Sequence, residues 1–264
     1  MHELSLLQRT VGRGYFPFVT TSTALTMNDL QNAHRHAVYF APTPGSAAWH
    51  RGTQWLGRCP HSGQHLAQPL PAGWDADAFA LRTREPRRYG WHATLKAPFT
   101  LAGDCNTVAL RTGFSDLAAS VGAPFTLKPV LARVGNFLAL VPGEPCAPLQ
   151  ALADACVRQV HPFAAPLPPT EIARRGRAGL SARQHEMLAQ WGYPYVLQDF
   201  AFHMTLTGAL DGLSEAQTAQ LVQHATHWFA PLLSDGLQID AVSWFAEDAP
   251  GTDFRWVERF GFAP

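Results

Sequence analysis

The chain has 264 residues, of which 47% are hydrophobic and 15% charged, a composition typical of a globular protein with a sizeable core. Its formal net charge is zero, so a small anionic substrate is expected rather than a long nucleic acid. No apolar stretch is long enough to predict a membrane span, and the four cysteines lack the close pairing of a disulfide framework or a zinc site. We therefore expect reduced cysteines and a cytoplasmic protein.

The first 34 residues precede the patterned part of the chain and are expected to form a poorly ordered N-terminal extension. Arg9 and Arg13 precede only a short apolar stretch, without the long hydrophobic region and the cleavage site of a signal peptide. Met27 is an alternative first residue, which would make 1–26 an extension of little structural importance.

Hydrophobic periodicity and turn residues define the predicted elements of the first half. Ser46 and Asp75 are expected to cap helices, whereas Thr107 and Gly122 are expected to begin and end another. Residues 59–74 are rich in glycine, proline and histidine and indicate a loop. Strands are predicted at 36–40, 89–95, 125–134 and 136–141, and helices at 46–57, 75–84 and 107–121.

The second half repeats this order of elements. Pro148 is expected to begin a helix, Ser181 and Ser214 are expected N-caps, and 161–170 is a proline-rich connection. Strands are predicted at 200–206, 237–246 and 253–260, and helices at 148–160, 181–191 and 214–230.

The two halves match element by element with an offset of about 100 to 112 residues, which indicates a duplicated β-α-β-α-β unit. For example, the predicted strand 89–95 matches the predicted strand 200–206. We therefore expect a single bilobal domain over 35–262, with one lobe over 35–134 and the other over 135–262. Each lobe would present one histidine to a shared cleft, and strands can be exchanged between the lobes.

The pattern His-x-Thr-Leu occurs in both of these matching strands. Side chains at i and i+2 of a strand point to the same face, so His92 projects with Thr94, and His203 projects with Thr205. One face with an imidazole and a hydroxyl is therefore predicted twice. The alternate positions are apolar and are expected to face the core: Ala93, Leu95, Met204 and Leu206.

This pairing is suited to chemistry at phosphorus. Imidazole serves as a base or an acid near neutral pH, and a threonine hydroxyl donates to a nonbridging phosphate oxygen. Two facing His-x-Thr strands would place a base and an acid on opposite sides of one phosphorus atom. No metal or other cofactor is expected, because no carboxylate cluster is present and because Gly63 places His61 and His65 in a loop.

Residues near the first histidine are further candidates for substrate binding. Arg87, Arg88 and Tyr89 precede it and would contact a second phosphate or remain as solvated loop residues. Lys96 follows His92 at i+4 and would line the cleft if the strand continues without interruption. Tyr39 alternates with a valine on the first strand and is favoured as the residue that faces the cleft.

Residues near the second histidine leave similar alternatives. Tyr193 and Tyr195 would stack on a base or sugar, or pack beneath Pro194. Three arginines flank a glycine in a segment predicted to be irregular, where a solvated loop is favoured over a lid that clamps phosphate: Arg174, Arg175 and Arg177.

These motifs resemble the paired motifs of the two-histidine (2H) phosphoesterase superfamily. The surrounding sequence is similar to the branch encoded in bacterial phosphonate-utilisation operons, over roughly 35–262. The segments that carry this likeness are Arg35-His-Ala-Val-Tyr-Phe-Ala-Pro42, Glu85-Pro-Arg-Arg-Tyr-Gly-Trp-His-Ala-Thr-Leu-Lys-Ala-Pro-Phe99, Phe137-Leu-Ala-Leu-Val-Pro142 and Trp191-Gly-Tyr-Pro-Tyr-Val-Leu197.

The resemblance implies a bilobal α+β fold with pseudo-twofold symmetry, in which two antiparallel-rich sheets flank a metal-free cleft. It implies hydrolysis of a small cyclic phosphodiester, and the phosphonate context suggests a ribosyl 1,2-cyclic phosphate. By resemblance to the superfamily's cyclic phosphodiesterases, His203 is the base and His92 is the acid, although the sequence pattern itself permits either order.

Two other functions are compatible with the sequence. One is an RNA-end-processing enzyme that acts on 2′,3′-cyclic ends or 2′,5′ linkages, which the neutral charge and the presence of only two lysines disfavour. The other is a non-catalytic phosphate- or nucleotide-binding module, which would not need two titratable histidines.

Overall fold

The computed structural model of the chain describes residues 26–177 and 179–263. The strands are β1 Arg35–Phe40, β2 Ala93–Phe99, β3 Phe125–Leu127, β4 Pro129–Val134, β5 Phe137–Pro142, β6 Met204–Thr205, β7 Leu237–Ile239, β8 Ala241–Glu247 and β9 Phe254–Gly261. The helices are α1 Met27–Gln31, α2 Ala47–Leu56, α3 Ala76–Tyr89, α4 Thr107–Ser120, α5 Ala147–Val160, α6 Pro169–Gly176, α7 Ala182–Trp191, α8 Glu215–Trp228 and α9 Ala230–Asp235.

Within these residues, seven strands form one antiparallel sheet in the order β4-β5-β6-β2-β1-β8-β9, and β3 pairs with β7 in a separate ladder. The predicted α+β class with antiparallel strands is confirmed. The two histidine strands, β6 and β2, are neighbours near the centre of this continuous sheet, and each side of the sheet contains strands from both halves of the chain. The strand order is symmetric about the pair of β6 and β2, since β5 and β1 flank this pair and β4 and β8 come next on either side.

The two faces of the central strands have different environments. Val38, Ala93 and Met204 belong to the main apolar core, to which α2, α4, α5 and α8 also contribute buried side chains. Tyr39 lies on the opposite face, in a smaller cluster with Phe245. The predicted alternation is therefore confirmed, because the apolar partners of both motifs are buried and the polar residues are on the other face.

The N-terminal segment differs from the sequence prediction. The extension was expected to be poorly ordered to residue 34, but Thr26 caps α1, and its Oγ1 accepts a hydrogen bond from the Asp29 backbone N–H at 3.2 Å. Leu30 of α1 is 3% exposed and packs into the main core, so residues 26–34 belong to the folded domain. The remaining predicted extension, residues 1–25, lies outside the described residues.

Helix α3 continues to Tyr89, five residues beyond the predicted end at residue 84, and contains Pro86. Pro86 has no N–H for Arg82 O, and that carbonyl instead accepts a hydrogen bond from Gly208 N at 2.6 Å. The helix is therefore tied to the loop that follows β6. As a result Tyr89 ends a helix, and β2 begins only after His92.

Smaller differences concern helix ends and strand lengths. Asn106, not Thr107, is the N-cap of α4. The strand predicted at 200–206 is reduced to the two residues of β6. The arginine-rich segment predicted to be irregular is helix α6, which an N-terminal proline and an i, i+4 ion pair between Glu171 and Arg175 favour.

Candidate active site

The register of the central strands brings the four motif residues together. Ala93 pairs with Met204 in the antiparallel ladder between β2 and β6. Continued by one residue in each direction, this register places His92 opposite Thr205 and Thr94 opposite His203. Directly opposed residues are close neighbours on one face of a sheet, so two imidazoles and two hydroxyls share one small area.

Both imidazoles are oriented in the same way, by a hydrogen bond from Nδ1 to the backbone carbonyl two residues earlier. His92 Nδ1 lies 2.9 Å from Gly90 O, and His203 Nδ1 lies 2.8 Å from Ala201 O. A carbonyl oxygen only accepts, so Nδ1 carries the hydrogen in both rings, and Nε2 is the atom free to accept or donate a proton. His92 Nε2 is 3.2 Å from Thr94 Oγ1.

The backbone at Gly90 is suited only to glycine. Its φ is +75°, and a Cβ there would lie 2.7 Å from the Pro60 ring. This conformation ends α3 and directs the Gly90 carbonyl towards the His92 ring. Gly90, two residues before the first motif, thus has a direct role in orienting His92.

His92 is enclosed by aromatic rings. The Tyr39 ring stacks on it with the centroids 3.8 Å apart, and Tyr89 and Phe245 lie slightly farther away. Burial penalises the charged imidazolium and, together with the nearby His203, lowers the pKa of His92 from 6.5 to about 4, although the bond to Gly90 opposes the shift. His92 is therefore neutral at pH 7, which is the form that a base requires.

The motif residues line two adjoining cavities on this face of the sheet. The larger, of about 570 Å³, is lined by both histidines, both motif threonines and a group of arginine and tyrosine side chains: Arg35, Arg174, Arg175, Tyr39, Tyr89, Tyr193 and Tyr195. The smaller, of about 400 Å³, lies against His92, His203 and Thr205 and is lined by Asn136 and Phe137. We call the larger cavity the cleft.

The arginines of α6 are paired with one carboxylate. Arg174 and Arg175 each donate to Glu171, at 2.7 and 2.6 Å respectively. Hydrogen bonds from Arg174, together with Arg175, lower the pKa of Glu171 to about 2, so it remains an anion at any working pH. Arg175 also donates to Gly192 O at 2.9 Å, which fixes the guanidinium at the rim of the cleft.

A second carboxylate holds two more arginines. Glu247 is fully buried and forms ion pairs with Arg35, at 2.5 Å, and with Arg88. Burial raises the pKa of Glu247, but the two guanidinium groups and the Gly251 N–H lower it by a larger amount. The net pKa is therefore below the ordinary value. Glu171 and Glu247 thus each pair with two arginines, and each set of one carboxylate and two guanidinium groups carries one net positive charge.

The structure places most predicted substrate-binding residues in the cleft. Tyr39, Tyr89 and Tyr195 line it together with Thr94 and Thr205. Arg88 does not line it, because its guanidinium is bound by Glu247 and by Thr252 O. Arg87 also faces elsewhere, since it donates to Leu56 O and to Thr83 and so connects α3 with α2.

Lys96 is the other predicted binding residue that does not line the cleft. Tyr39 pairs with Thr94, whereas Val38 pairs with Lys96, so Leu95 is an extra residue in β2. Such a bulge reverses the alternation of side chains, and Lys96 consequently lies on the face opposite to Thr94. The expectation that the strand continues without interruption is wrong at this residue.

Arg35 also lines the cleft, although it was not among the residues predicted to bind substrate. Arg35 and Tyr39 are four residues apart on β1, an even spacing that places both on one face. The alternation that favoured Tyr39 over Val38 contained the signal for Arg35. Arg174, Arg175 and Tyr193 were recognised as alternatives, and all three line the cleft.

The part of the chain that the structure describes contains no group of three or more His, Cys, Asp or Glu placed to hold a metal ion. His61 lies edge-on to Trp256 at 4.8 Å, and His65 is in a backbone bridge with Arg58. No described helix is both long and apolar enough to cross a membrane.

The protein is thus of the α+β class, with two neighbouring His-x-Thr segments near the centre of an antiparallel sheet and one cleft that both histidines line. The chain belongs to the family described as "Protein of unknown function (DUF1045)", which it matches over residues 94–255. That match begins at Thr94 and includes the second motif.

Curated relatives extend beyond this chain. It is 37% identical over 232 residues to a ribose 1,5-bisphosphate phosphokinase of Janthinobacterium sp. (strain Marseille), covering 87% of this chain and 51% of the relative. It is also 37% identical over 221 residues to a protein of the same name from Laribacter hongkongensis (strain HLHK9), covering 84% of this chain and 50% of the relative. The chain thus spans about half the length of the curated relatives it matches.

Solved structures show a weaker likeness. E. coli LigT complexed with 3′-AMP is 16% identical with a TM-score of 0.41, and a crystal structure titled as a phosphoesterase is 14% identical with a TM-score of 0.38. Both comparisons cover 88% of this chain and 99% of the other. These TM-scores are low, so they add nothing to the fold that the chain's own strand order defines.

Proposed function

We propose that this protein is a phosphodiesterase that opens a small cyclic phosphodiester by acid–base catalysis with His92 and His203, without a metal. The observation that carries the proposal is the shared orientation of the two rings. Each is fixed through Nδ1 to a carbonyl two residues earlier, and each lines the same cleft beside a threonine hydroxyl. A binding module would need neither the common tautomer nor two titratable groups.

The reaction balances with these groups alone. One neutral imidazole accepts a proton from water through Nε2 while the water oxygen attacks phosphorus. The bond from phosphorus to one ring oxygen breaks, and the other imidazole, as imidazolium, donates its Nε2 proton to that oxygen. Thr94 and Thr205 donate to the nonbridging oxygens, where negative charge increases in the transition state.

Burial of His92 favours it as the base, which is the reverse of the order that the family resemblance implies. Its ring is stacked against Tyr39, and no carboxylate of the described residues bonds to it, so the charged form of the acid is poorly stabilised there. We therefore assign proton acceptance to His92 and proton donation to His203.

The cleft is suited to a substrate with a second phosphate. Arg35 and Arg175 line it beyond the histidines, and each belongs to a group with one net positive charge. The curated relatives are named for ribose 1,5-bisphosphate. Opening the ring of 5-phosphoribosyl 1,2-cyclic phosphate at O2 yields ribose 1,5-bisphosphate, so this cyclic ester, a product of phosphonate breakdown, is the proposed substrate.

The test compares substrates by phosphorus NMR and coupled assays. The set consists of 5-phosphoribosyl 1,2-cyclic phosphate, the same ester without the 5-phosphate, cytidine 2′,3′-cyclic phosphate and a short RNA with a cyclic end. We expect the first to be opened with the highest kcat/KM. Preference for the cytidine ester or the RNA would support RNA-end processing instead, and binding without turnover would support a non-catalytic module. A separate assay with ATP and ribose 1,5-bisphosphate tests whether this chain has the kinase activity for which the curated relatives are named.

Matched variants test the roles of the histidines. His92→Asn and His203→Asn should each lower turnover by about a hundredfold or more, the usual contribution of a general acid or base. His227→Asn is the control, because His227 is exposed on α8. A nitrophenyl diester needs little protonation of its leaving group and should restore the activity of His203→Asn only. Restoration of His92→Asn instead would reverse the assigned roles, and full activity of both variants would disprove the mechanism.

A further inference from the structure

A third cavity, of about 540 Å³, lies next to the cleft and contains a buried cation. Ala97, Pro98 and Tyr193 border both cavities, but neither motif histidine lines this one. Lys96 lines it and is 4% exposed, because the bulge at Leu95 turns its side chain away from the cleft. We call this space the Lys96 cavity.

The Lys96 ammonium has little compensation for its burial. Its hydrogen-bond partner is His161 Nδ1, at 3.5 Å, which is a long contact, and its nitrogen lies 5.3 Å from the Phe99 ring centre. No Asp or Glu in the described ranges 26–177 and 179–263 forms an ion pair with it. A buried ammonium without a counter-charge is costly, and an anion that enters the cavity would remove that cost.

Most of the rest of the lining is apolar, with Thr100, His161 and Gln190 among its polar members. It includes Val157, Leu167, Ile172 and Trp191, and contains no acidic side chain. The indole N–H of Trp191 is buried and donates to no described group. The cavity therefore combines one cation and one unpaired indole N–H with a mostly apolar surface, which favours a ligand with a hydrocarbon part.

We propose that the Lys96 cavity binds a small monocarboxylate with an apolar body, whose carboxylate pairs with Lys96. A single lysine is matched by one negative charge, whereas the arginine groups of the cleft are suited to phosphate. Burial lowers the pKa of Lys96 to about 8, partly offset by the nearby Cys156 thiol. A bound carboxylate would stabilise the ammonium.

The experiment measures binding of acetate, butyrate, hexanoate and neutral hexanamide at pH 7 by calorimetry, with Trp191 fluorescence as a second readout. Each buried methylene strengthens binding by roughly fourfold, so hexanoate should bind at least about tenfold more tightly than acetate. The ion pair should favour hexanoate over hexanamide by about tenfold or more. Equal binding of hexanoate and hexanamide, or of acetate and hexanoate, would overturn the proposal.

Variants locate the site. Lys96→Met keeps the length of the side chain without its charge and should bind hexanoate and hexanamide alike, whereas Lys128→Met, at an exposed lysine, should bind as the unsubstituted protein does. Leu167→Trp fills the cavity while Lys96 is retained, and should abolish hexanoate binding even if Lys96→Met does not fold. Undiminished hexanoate binding by Lys96→Met or Leu167→Trp would place the ligand elsewhere and refute the proposal. Neither result depends on phosphodiesterase turnover, so this proposal and the proposed function fail independently.

Discussion

The enclosure of His92 leads to a specific prediction about acid pH. Its pKa of about 4 is well below the ordinary 6.5. At about pH 5.5, a group with the lowered value is about 97% neutral, whereas an ordinary histidine is about 9% neutral. If His92 is the base, the kcat/KM that depends on its neutral form should be almost fully retained at this pH. The acid limb of the profile should be centred near pH 4.

The assay uses a ribosyl 1,2-cyclic phosphate without the 5-phosphate, because such a diester keeps one negative charge throughout the range. Initial rates are measured from about pH 4 to 8 at constant ionic strength, and circular dichroism at each pH verifies that the protein remains folded. An acid limb centred near pH 6.5 in folded protein would refute the argument from burial. A limb that persists unchanged in His92→Asn would show that another group is the base.

Three further predictions concern metal, stability and the second phosphate. Turnover should be unchanged in EDTA, and complete loss that one divalent metal restores would contradict the metal-free mechanism. His36 is fully buried, and burial lowers its pKa from 6.5 to about 4, so the unfolded state binds the proton more tightly. The contribution of His36 to the free energy of unfolding should therefore be complete above about pH 6.5 and fall by roughly 3 kcal/mol as the pH drops to about 4. Urea titrations measure it as the part of the pH dependence that is lost in His36→Gln. Arg175→Gln should lower kcat/KM about tenfold for the 5-phosphorylated ester and leave the unphosphorylated ester unaffected; an equal loss for both would argue against a second-phosphate site.

Much of the fold and the motif arrangement could be predicted from the sequence because both depend on local rules. Ser46, Asp75, Ser181 and Ser214 cap the helices expected of them, since a capping hydrogen bond involves residues only three apart. The alternation of polar and apolar residues in His-x-Thr-Leu likewise needs only the two-residue period of a strand. These rules placed both histidines and both motif threonines on one face of the sheet.

The properties of the site that matter for catalysis arise from pairing between distant parts of the chain. The contact of Tyr39 with His92, and hence the lowered pKa, follows from the register of β1 against β2. The single extra residue at Leu95 moved Lys96 out of the cleft and into a cavity of its own. A shift of one residue reverses every side chain beyond it, and such a shift is decided by the packing of neighbouring strands, so only the tertiary structure determined which charged groups surround the histidines.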